Sequence, residues 1–307
     1  MLDIKNLSIC FSSYSIGLKK RHVQAIQSLD LSVDKKEVLA VVGQSGAGKS
    51  LLAHALLGIL PRNASLSGDL IFKGKAMTPK EMARLRGREI ALIPQSMTYL
   101  NPLLKVGVQI SRAAELSGVS PKSSWKATLE ALQRYRLEEK IARKFPFQLS
   151  GGMARRILTA TATIGGADLI LADEPTNGLD QATAGETLGH LRGLADAGKA
   201  VLLITHDIEA ALSIADRVTV FCGGVTVEEA HASDFNGPGK LRHPYSRALW
   251  DALPANGFVG SLPGRTPFST MGGCPFVLFC EKSTTCCEDS LPGIKNLDQG
   301  RVRCHHA

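Results

Sequence analysis

Gly43-Gln44-Ser45-Gly46-Ala47-Gly48-Lys49-Ser50 decides how this chain folds. The octet has the G-x-x-x-x-G-K-[ST] spacing, and it stands in the context that spacing requires. Before it, Glu37–Val42 reads as a nearly continuous apolar strand; after it, the apolar density of Ser50–Leu60 suits a buried helix. Glycines let consecutive backbone N–H groups turn toward a phosphate with no Cβ in the way. The helix then directs its positive end at the same anion. In such a cradle Lys49 reaches the β- and γ-phosphates and Ser50 offers its hydroxyl to Mg²⁺.

Two later stretches extend the same chemistry. Leu169-Ile-Leu-Ala-Asp173-Glu174 is an apolar strand tipped by two acids. In a nucleotide site Asp173 would hold Mg²⁺ through water and Glu174 would polarise the attacking water as general base. Leu149-Ser150-Gly151-Gly152-Met153 precedes a helix-like run from Met153 to Thr163, which makes a second anion-binding helix start.

The rest of the chain alternates around these motifs. Leu2–Cys10 and Ala25–Val33 alternate as strands of an antiparallel sheet. Residues 97–156 are rich in helix formers, with Trp125–Tyr135 and Leu137–Lys144 at helical period. Ala200–Thr205 reads as a strand after the helical Gln181–Ala197, and Val218–Phe221 with Val225–Val227 as a hairpin around Gly223-Gly224. Strands alternating with helices imply a parallel α/β sheet. From Asn236 onward Gly, Pro and Cys dominate, so an extension is expected over residues 240–307, after a domain spanning 1–239.

Hydrophobic residues make up 44% and charged residues 21% of the 307, which excludes a disordered chain. The longest apolar runs, Val38–Val42 and Ala200–Ile204, are strand-sized rather than membrane-spanning. The opening MLDIKNLSIC lacks the basic start and apolar run of a secretory signal, so a soluble, cytosolic-side protein is expected. The net charge of +8 is uneven: residues 1–150 carry 23 basic and 11 acidic groups, residues 151–307 carry 13 and 17. A basic half fits nucleic acid, anionic lipid or a phosphate ligand. Five of the seven cysteines, at 274, 280, 286, 287 and 304, fall in the last 34 residues. In a chain without a secretory signal such clustering points to a metal or cluster site.

One phosphate loop and one serine-glycine turn in a single chain resemble the ATP-binding-cassette ATPases, and the remaining motifs match in order. The resemblance implies Gln95 as the Q-loop glutamine and a Mg²⁺ ligand, Asp180 in Gly178-Leu179-Asp180 as the D-loop, and His206 in Ile204-Thr-His-Asp207 as the switch histidine. It covers about residues 1–230. The implied fold is a P-loop NTPase (RecA-like) core of cassette type with an antiparallel β subdomain, a helical subdomain inserted at about 97–156, and a Cys-rich C-terminal extension. Ser150, Gly151 and Gly152 would then serve the opposite subunit's nucleotide, so that two cassettes sandwich two ATPs. An aromatic upstream of the phosphate loop stacks on adenine in this family; Phe11 is the candidate, with Tyr14 behind it.

Gln95-Ser-Met-Thr-Tyr-Leu-Asn-Pro102 and His243-Pro-Tyr-Ser-Arg-Ala-Leu249 look like segments of the ATPases serving dipeptide, oligopeptide and nickel importers. The tail continues in their manner through Leu262-Pro-Gly264 and Gly273-Cys274-Pro-Phe276. Cys274, Cys280, Cys287 and Cys304 fit that group's cysteine spacing, and four thiolates suit a [4Fe–4S] cluster or tetrahedral Zn²⁺. The resemblance favours the cluster, with Cys286 and His305 as spare ligands. Leu278-Phe279 departs from the usual Pro-Arg before the second cysteine, and Arg155 stands where the family often has glutamine.

These readings imply an ATPase subunit, peripheral on the cytoplasmic face of a bacterial inner membrane. Its implied partners are two membrane permease subunits, a second homologous ATPase subunit and, indirectly, a solute-binding protein. The other class considered is a nucleic-acid-associated cassette ATPase. Only 54 residues separate Gln95 from Ser150, too few for the long insertions of that class, so no nucleic acid is expected.

Overall fold

The computed structural model describes residues 1–14, 20–44, 46–237, 239–256, 272–297 and 300–307. It divides into two compact units: residues 1–34, 38–77 and 205–307 form the first, and residues 35–37 with 78–204 the second. Ser45 and the Leu262-Pro-Gly264 segment lie outside the described residues.

The first unit opens with β1 (Leu2–Tyr14), β2 (Lys20–Val33), β3 (Val38–Val42), α1 (Lys49–Leu56), β4 (Ala64–Phe72) and β5 (Lys75–Ala76). β1 and β2 pair antiparallel from Leu2↔Val33 to Tyr14↔Lys20, running past Cys10 and Ala25, where their apolar alternation stops, at one end only. Leu2, Ile4, Leu7 and Ile9 of β1 and Leu29, Leu31 and Val33 of β2 are buried, the one-sided pattern of a half-covered antiparallel sheet. β3 is buried at all five positions, as its unbroken apolar run requires. Helix α1 stops at Leu56 rather than Leu60, ahead of Gly58 and Pro61, which end helices whatever the apolar count around them.

The second unit holds α2 (Pro79–Leu85), β6 (Ile90–Ile93), α3 (Val106–Leu116), α4 (Pro121–Arg134), α5 (Gly151–Thr163), β7 (Leu169–Asp173), α6 (Gln181–Asp196) and the start of β8 (Ala200–Thr205). β7 pairs in parallel with β6 on one side and β8 on the other. The helices bury their own core: Val106 and Ile110 of α3, Leu132 of α4 and Ile157 of α5 pack with Leu100, Tyr135 and Ile141. Residues 137–144 form only a 3₁₀ turn over Glu139–Arg143, following Arg136 at a positive φ of 54°. Leu137, Ile141 and Ala142 are still buried, so the apolar spacing marked a packed face and not a full α-helix.

The chain returns to the first unit with α7 (Ile208–Leu212), β9 (Arg217–Cys222), β10 (Val225–His231), α8 (Pro244–Asp251), α9 (Thr285–Asp289), β11 (Lys295–Leu297) and β12 (Gly300–Val302). Strand order in this unit is β5-β4-β1-β2-β10-β9-β3. β9 and β10 are the hairpin read from Gly223-Gly224. β12 adds to β10 through Glu228↔Val302, so the stretch after residue 240 belongs to the same compact unit. Two arginines fasten it. Arg301 pairs with the buried Glu229 at 2.8 Å, and Arg303 reaches Asp30 at 2.8 Å, the Ser28 hydroxyl at 3.0 Å and the Pro292 carbonyl at 3.0 Å.

Candidate active site

In the first unit β3 delivers the chain into the Gly43–Ser50 turn. A Cβ on Gly43, at φ 152°, would stand 2.0 Å from the Phe221 carbonyl oxygen of β9. Gly48 is the N-cap of α1 at φ 92°, and a Cβ there would lie 2.9 Å from the Ala25 carbonyl of β2. Both positions therefore need glycine on steric grounds. No side chain caps α1. Lys49 is buried, and its Nζ donates to the Gly43 and Gln44 carbonyls at 2.6 and 3.0 Å, which folds the ammonium into its own loop. Such a lysine can exchange carbonyl partners for phosphate oxygens. Gly46 is exposed, Ala47 buried and Ser50 half-buried. Phe11 is half-buried on β1 opposite Val23 and Ala64, and Tyr14 is exposed. His206 is exposed and follows the last residue of β8.

In the second unit Asp173 and Glu174 are both buried at the end of β7. Glu174 takes the left-handed conformation at φ 46° and donates its N–H to the Ile204 carbonyl at 2.8 Å. A non-glycine residue held there is sterically costly, a feature that gathers at functional sites. Gln95 is exposed, one residue past the buried Pro94 that follows β6. Ser150 is the N-cap of α5, its hydroxyl accepting from the Met153 N–H at 3.3 Å. Around Gly151 a Cβ would meet nothing within 4 Å, and on Gly152 only the Thr183 methyl at 3.8 Å. Asp180 caps α6, accepting from the Thr183 N–H and hydroxyl at 3.0 and 2.7 Å. Those bonds hold its carboxyl below the usual range.

Arg155, noted only as a departure from the family pattern, takes on a definite task in this unit. From α5 it donates to the Pro94 carbonyl at 2.8 Å and the Asn177 carbonyl at 3.3 Å. It thereby ties the serine-glycine helix to the residues just before Gln95 and just before Asp180. The signal in the sequence was a charge amid the apolar positions of a helix; what it would grasp was not there to be read.

The cysteines gather in the first unit. Cys274, Cys287 and Cys304 are buried and Cys280 is half-buried. Burial first, and the neighbouring Cys287, Cys304 and Cys280 thiols after it, push the Cys274 thiol up to about 11. The Cys274 N–H bonds the Cys287 carbonyl at 2.8 Å, joining the two ends of the locus. Among the described residues, the trio with donor atoms all within 4.8 Å of one another is Cys286, Cys287 and His306. No three of Cys274, Cys280, Cys287 and Cys304 are that compact, whereas thiolates sharing one tetrahedral zinc stand about 3.8 Å apart. His305, expected as the spare ligand, instead faces the Ser290 carbonyl at 3.1 Å; it is His306 Nε2 that lies 3.5 Å from Cys287 Sγ.

A phosphate loop with its lysine in place, a buried acid pair in a strained backbone, and a second serine-capped helix start together define a nucleoside-triphosphatase cassette. The family model for ABC transporters matches residues 26–177. The oligopeptide transport ATP-binding protein OppD of Haemophilus influenzae is 32% identical over 318 residues, covering 99% of this chain and 96% of that protein. OppD of Bacillus subtilis is 34% identical, covering 87% and 77%, and the B. subtilis dipeptide transport ATP-binding protein DppD is 34% identical, covering 95% and 90%. The dimeric bacterial ABC transporter cassette MJ0796 matches at TM-score 0.66 and 26% identity, over 76% of this chain and 99% of the cassette. Its post-hydrolysis state with ADP and phosphate matches at 0.66 and 27%. The chain belongs to the ABC transporter family and is an ATPase of cassette fold. No helix among the described residues is long and apolar enough to cross a membrane.

Proposed function

We propose that this chain is an ATP-hydrolysing subunit of a peptide importer, seated on the cytoplasmic face of a bacterial inner membrane. The observation that carries this reading is the length of the likeness. Plain cassette MJ0796 covers 76% of the chain, whereas the H. influenzae oligopeptide transport subunit covers 99%, tail included. ATP is held by Gly43, Gln44, Ser45, Gly46, Ala47, Gly48 and Lys49, with Phe11 on the adenine. Mg²⁺ is held by Ser50, Asp173 and Gln95. Glu174 polarises the attacking water, and His206 reports the γ-phosphate. Ser150, Gly151, Gly152 and Asp180 complete the nucleotide of a second, homologous ATPase subunit. Nucleotide binding then biases the cassette pair between two states and drives two permease subunits fed by a solute-binding protein.

The docking face for the permeases is the second unit's surface after Gln95, where Met97, Tyr99 and Leu103 are 49, 52 and 82% exposed. Apolar side chains this exposed in one segment mark an interaction surface. Peptide cargo is favoured over nickel or a metal chelator because the relatives carry peptide names. The test reconstitutes the chain with its permeases in liposomes. ATP-dependent uptake of labelled peptide is expected; uptake of nickel alone would overturn the peptide assignment.

For the tail, Cys274, Cys280, Cys287 and Cys304, three of them buried and one half-buried, would hold a [4Fe–4S] cluster, which the resemblance in cysteine spacing along the chain favours over one Zn²⁺ ion. Bound there, the cluster supplies covalent cross-links to a segment with little apolar core of its own. Protein purified without air should be brown, and Cys280→Ser should bleach it with nucleotide binding intact. A colourless preparation holding one zinc per chain would replace the cluster by Zn²⁺.

A further inference from the structure

The tail carries a contact that none of the ATP motifs accounts for. Tyr245, in the first turn of α8, is fully buried, and its hydroxyl accepts the backbone N–H of Gln44 at 3.2 Å. Gln44 is the second residue of the phosphate loop, 201 positions away in sequence. The Tyr245 ring packs edge-on against Phe276 with centroids 5.3 Å apart. Phe276 lies two residues beyond Cys274 and also neighbours the His243 ring at 6.3 Å. His243 accepts the Tyr245 N–H on Nδ1 at 3.0 Å and places Nε2 3.9 Å from Cys274 Sγ. An unbroken set of packed groups therefore runs from the cysteine locus to the loop that receives the nucleotide, all within one compact unit.

We propose that Tyr245 is a positioning residue for the phosphate loop, and that through it the state of the cysteine locus sets the affinity of the loop for ATP. The Gln44 N–H and carbonyl are held from two sides. Tyr245 takes the N–H, while Lys49 takes the carbonyl at 3.0 Å. When Lys49 turns to a phosphate, the Tyr245 bond remains as the anchor of the loop's first turn. Close packing transmits displacement rather than absorbing it, so a change of ligation at Cys274 moves Phe276 and His243, and Tyr245 with them. The coupling is reciprocal: ATP on the loop alters the ligand affinity of the thiols by the same factor. The inference rests on the chain being an ATPase and holds whether the locus takes a cluster or zinc.

The experiment is a double-mutant cycle on the full-length chain, read by titration with a fluorescent ATP analogue. Tyr245→Phe keeps the ring and removes the hydroxyl; ATP affinity should fall about 3- to 10-fold, the scale of one hydrogen bond. In steady-state assays KM should rise with kcat nearly unchanged. Cys274→Ser should shift ATP affinity in the wild-type background and leave it unshifted in the Tyr245→Phe background. Wild-type affinity in Tyr245→Phe, or an equal Cys274→Ser shift in both backgrounds, would overturn the proposal. Should Cys274→Ser fail to fold, amide exchange at Gln44 in the wild-type chain, purified without air and compared before and after a chelator strips whatever metal the thiols hold, replaces it. A change at Gln44 on stripping that Tyr245→Phe abolishes supports the coupling, and exchange indifferent to stripping of a demonstrably metal-loaded chain refutes it.

Discussion

Two turns of similar composition open helices in this molecule, and their glycines answer to different demands. In the phosphate loop Gly43 and Gly48 stand against the molecule's own carbonyls, at positive φ, so the fold itself forbids a side chain. In the serine-glycine turn neither Gly151 nor Gly152 has a positive φ, and the space a Cβ would fill is open or nearly so. α1 begins with no side-chain cap, whereas α5 is capped by Ser150. The first turn is shaped by this chain. The second is kept bare in a way this chain's folding does not require.

Hydrolysis gives the sharpest test of that difference. Ser150→Arg fills the bare turn and should reduce turnover at least about 100-fold while this chain's ATP affinity stays at wild type; weakened binding to the same chain would break the comparison. Glu174→Gln supplies the benchmark, since loss of a general base costs about 10²- to 10⁴-fold in turnover with binding preserved. On the other side, Lys49→Ala removes a charge-assisted contact and should weaken ATP binding itself by about 10- to 100-fold, read by equilibrium titration.

Stability separates the turns next. Gly48→Ala forces a Cβ into a left-handed residue 2.9 Å from the Ala25 carbonyl and should cost about 1–3 kcal/mol. Gly151→Ala should stay within about 0.5 kcal/mol, because it meets nothing. Equal thermal midpoints for the two variants would erase the distinction. Smallest of all, Arg155→Gln gives up the bond to one of two carbonyls and should cost about 1 kcal/mol. Its mark would be faster amide exchange in the segments flanking Pro94 and Asn177.

Local motifs were legible from residue order because their chemistry is local. The phosphate loop, the acid-tipped strand at Asp173-Glu174 and the capped turn at Ser150 each combine a backbone shape with the residues that create it. The β9–β10 hairpin was legible for the same reason. Helix ends were less so: apolar spacing carried α1 four residues too far and promoted a 3₁₀ turn to a helix over 137–144. Burial alone cannot tell those geometries apart.

By itself, then, the sequence determined the nucleotide loop and the grouping of cysteines, which follow from near neighbours or from composition, while the cassette fold was legible only through the resemblance carried by the order of motifs along about residues 1–230. Only the tertiary structure decided that Tyr245 holds Gln44, that Arg155 bridges Pro94 and Asn177, that Arg303 fastens the tail to Asp30, and that His306 rather than His305 faces the thiols. Those contacts join residues 19 to 273 positions apart, and a hydrogen bond records no trace of its distant partner in the local pattern of either residue.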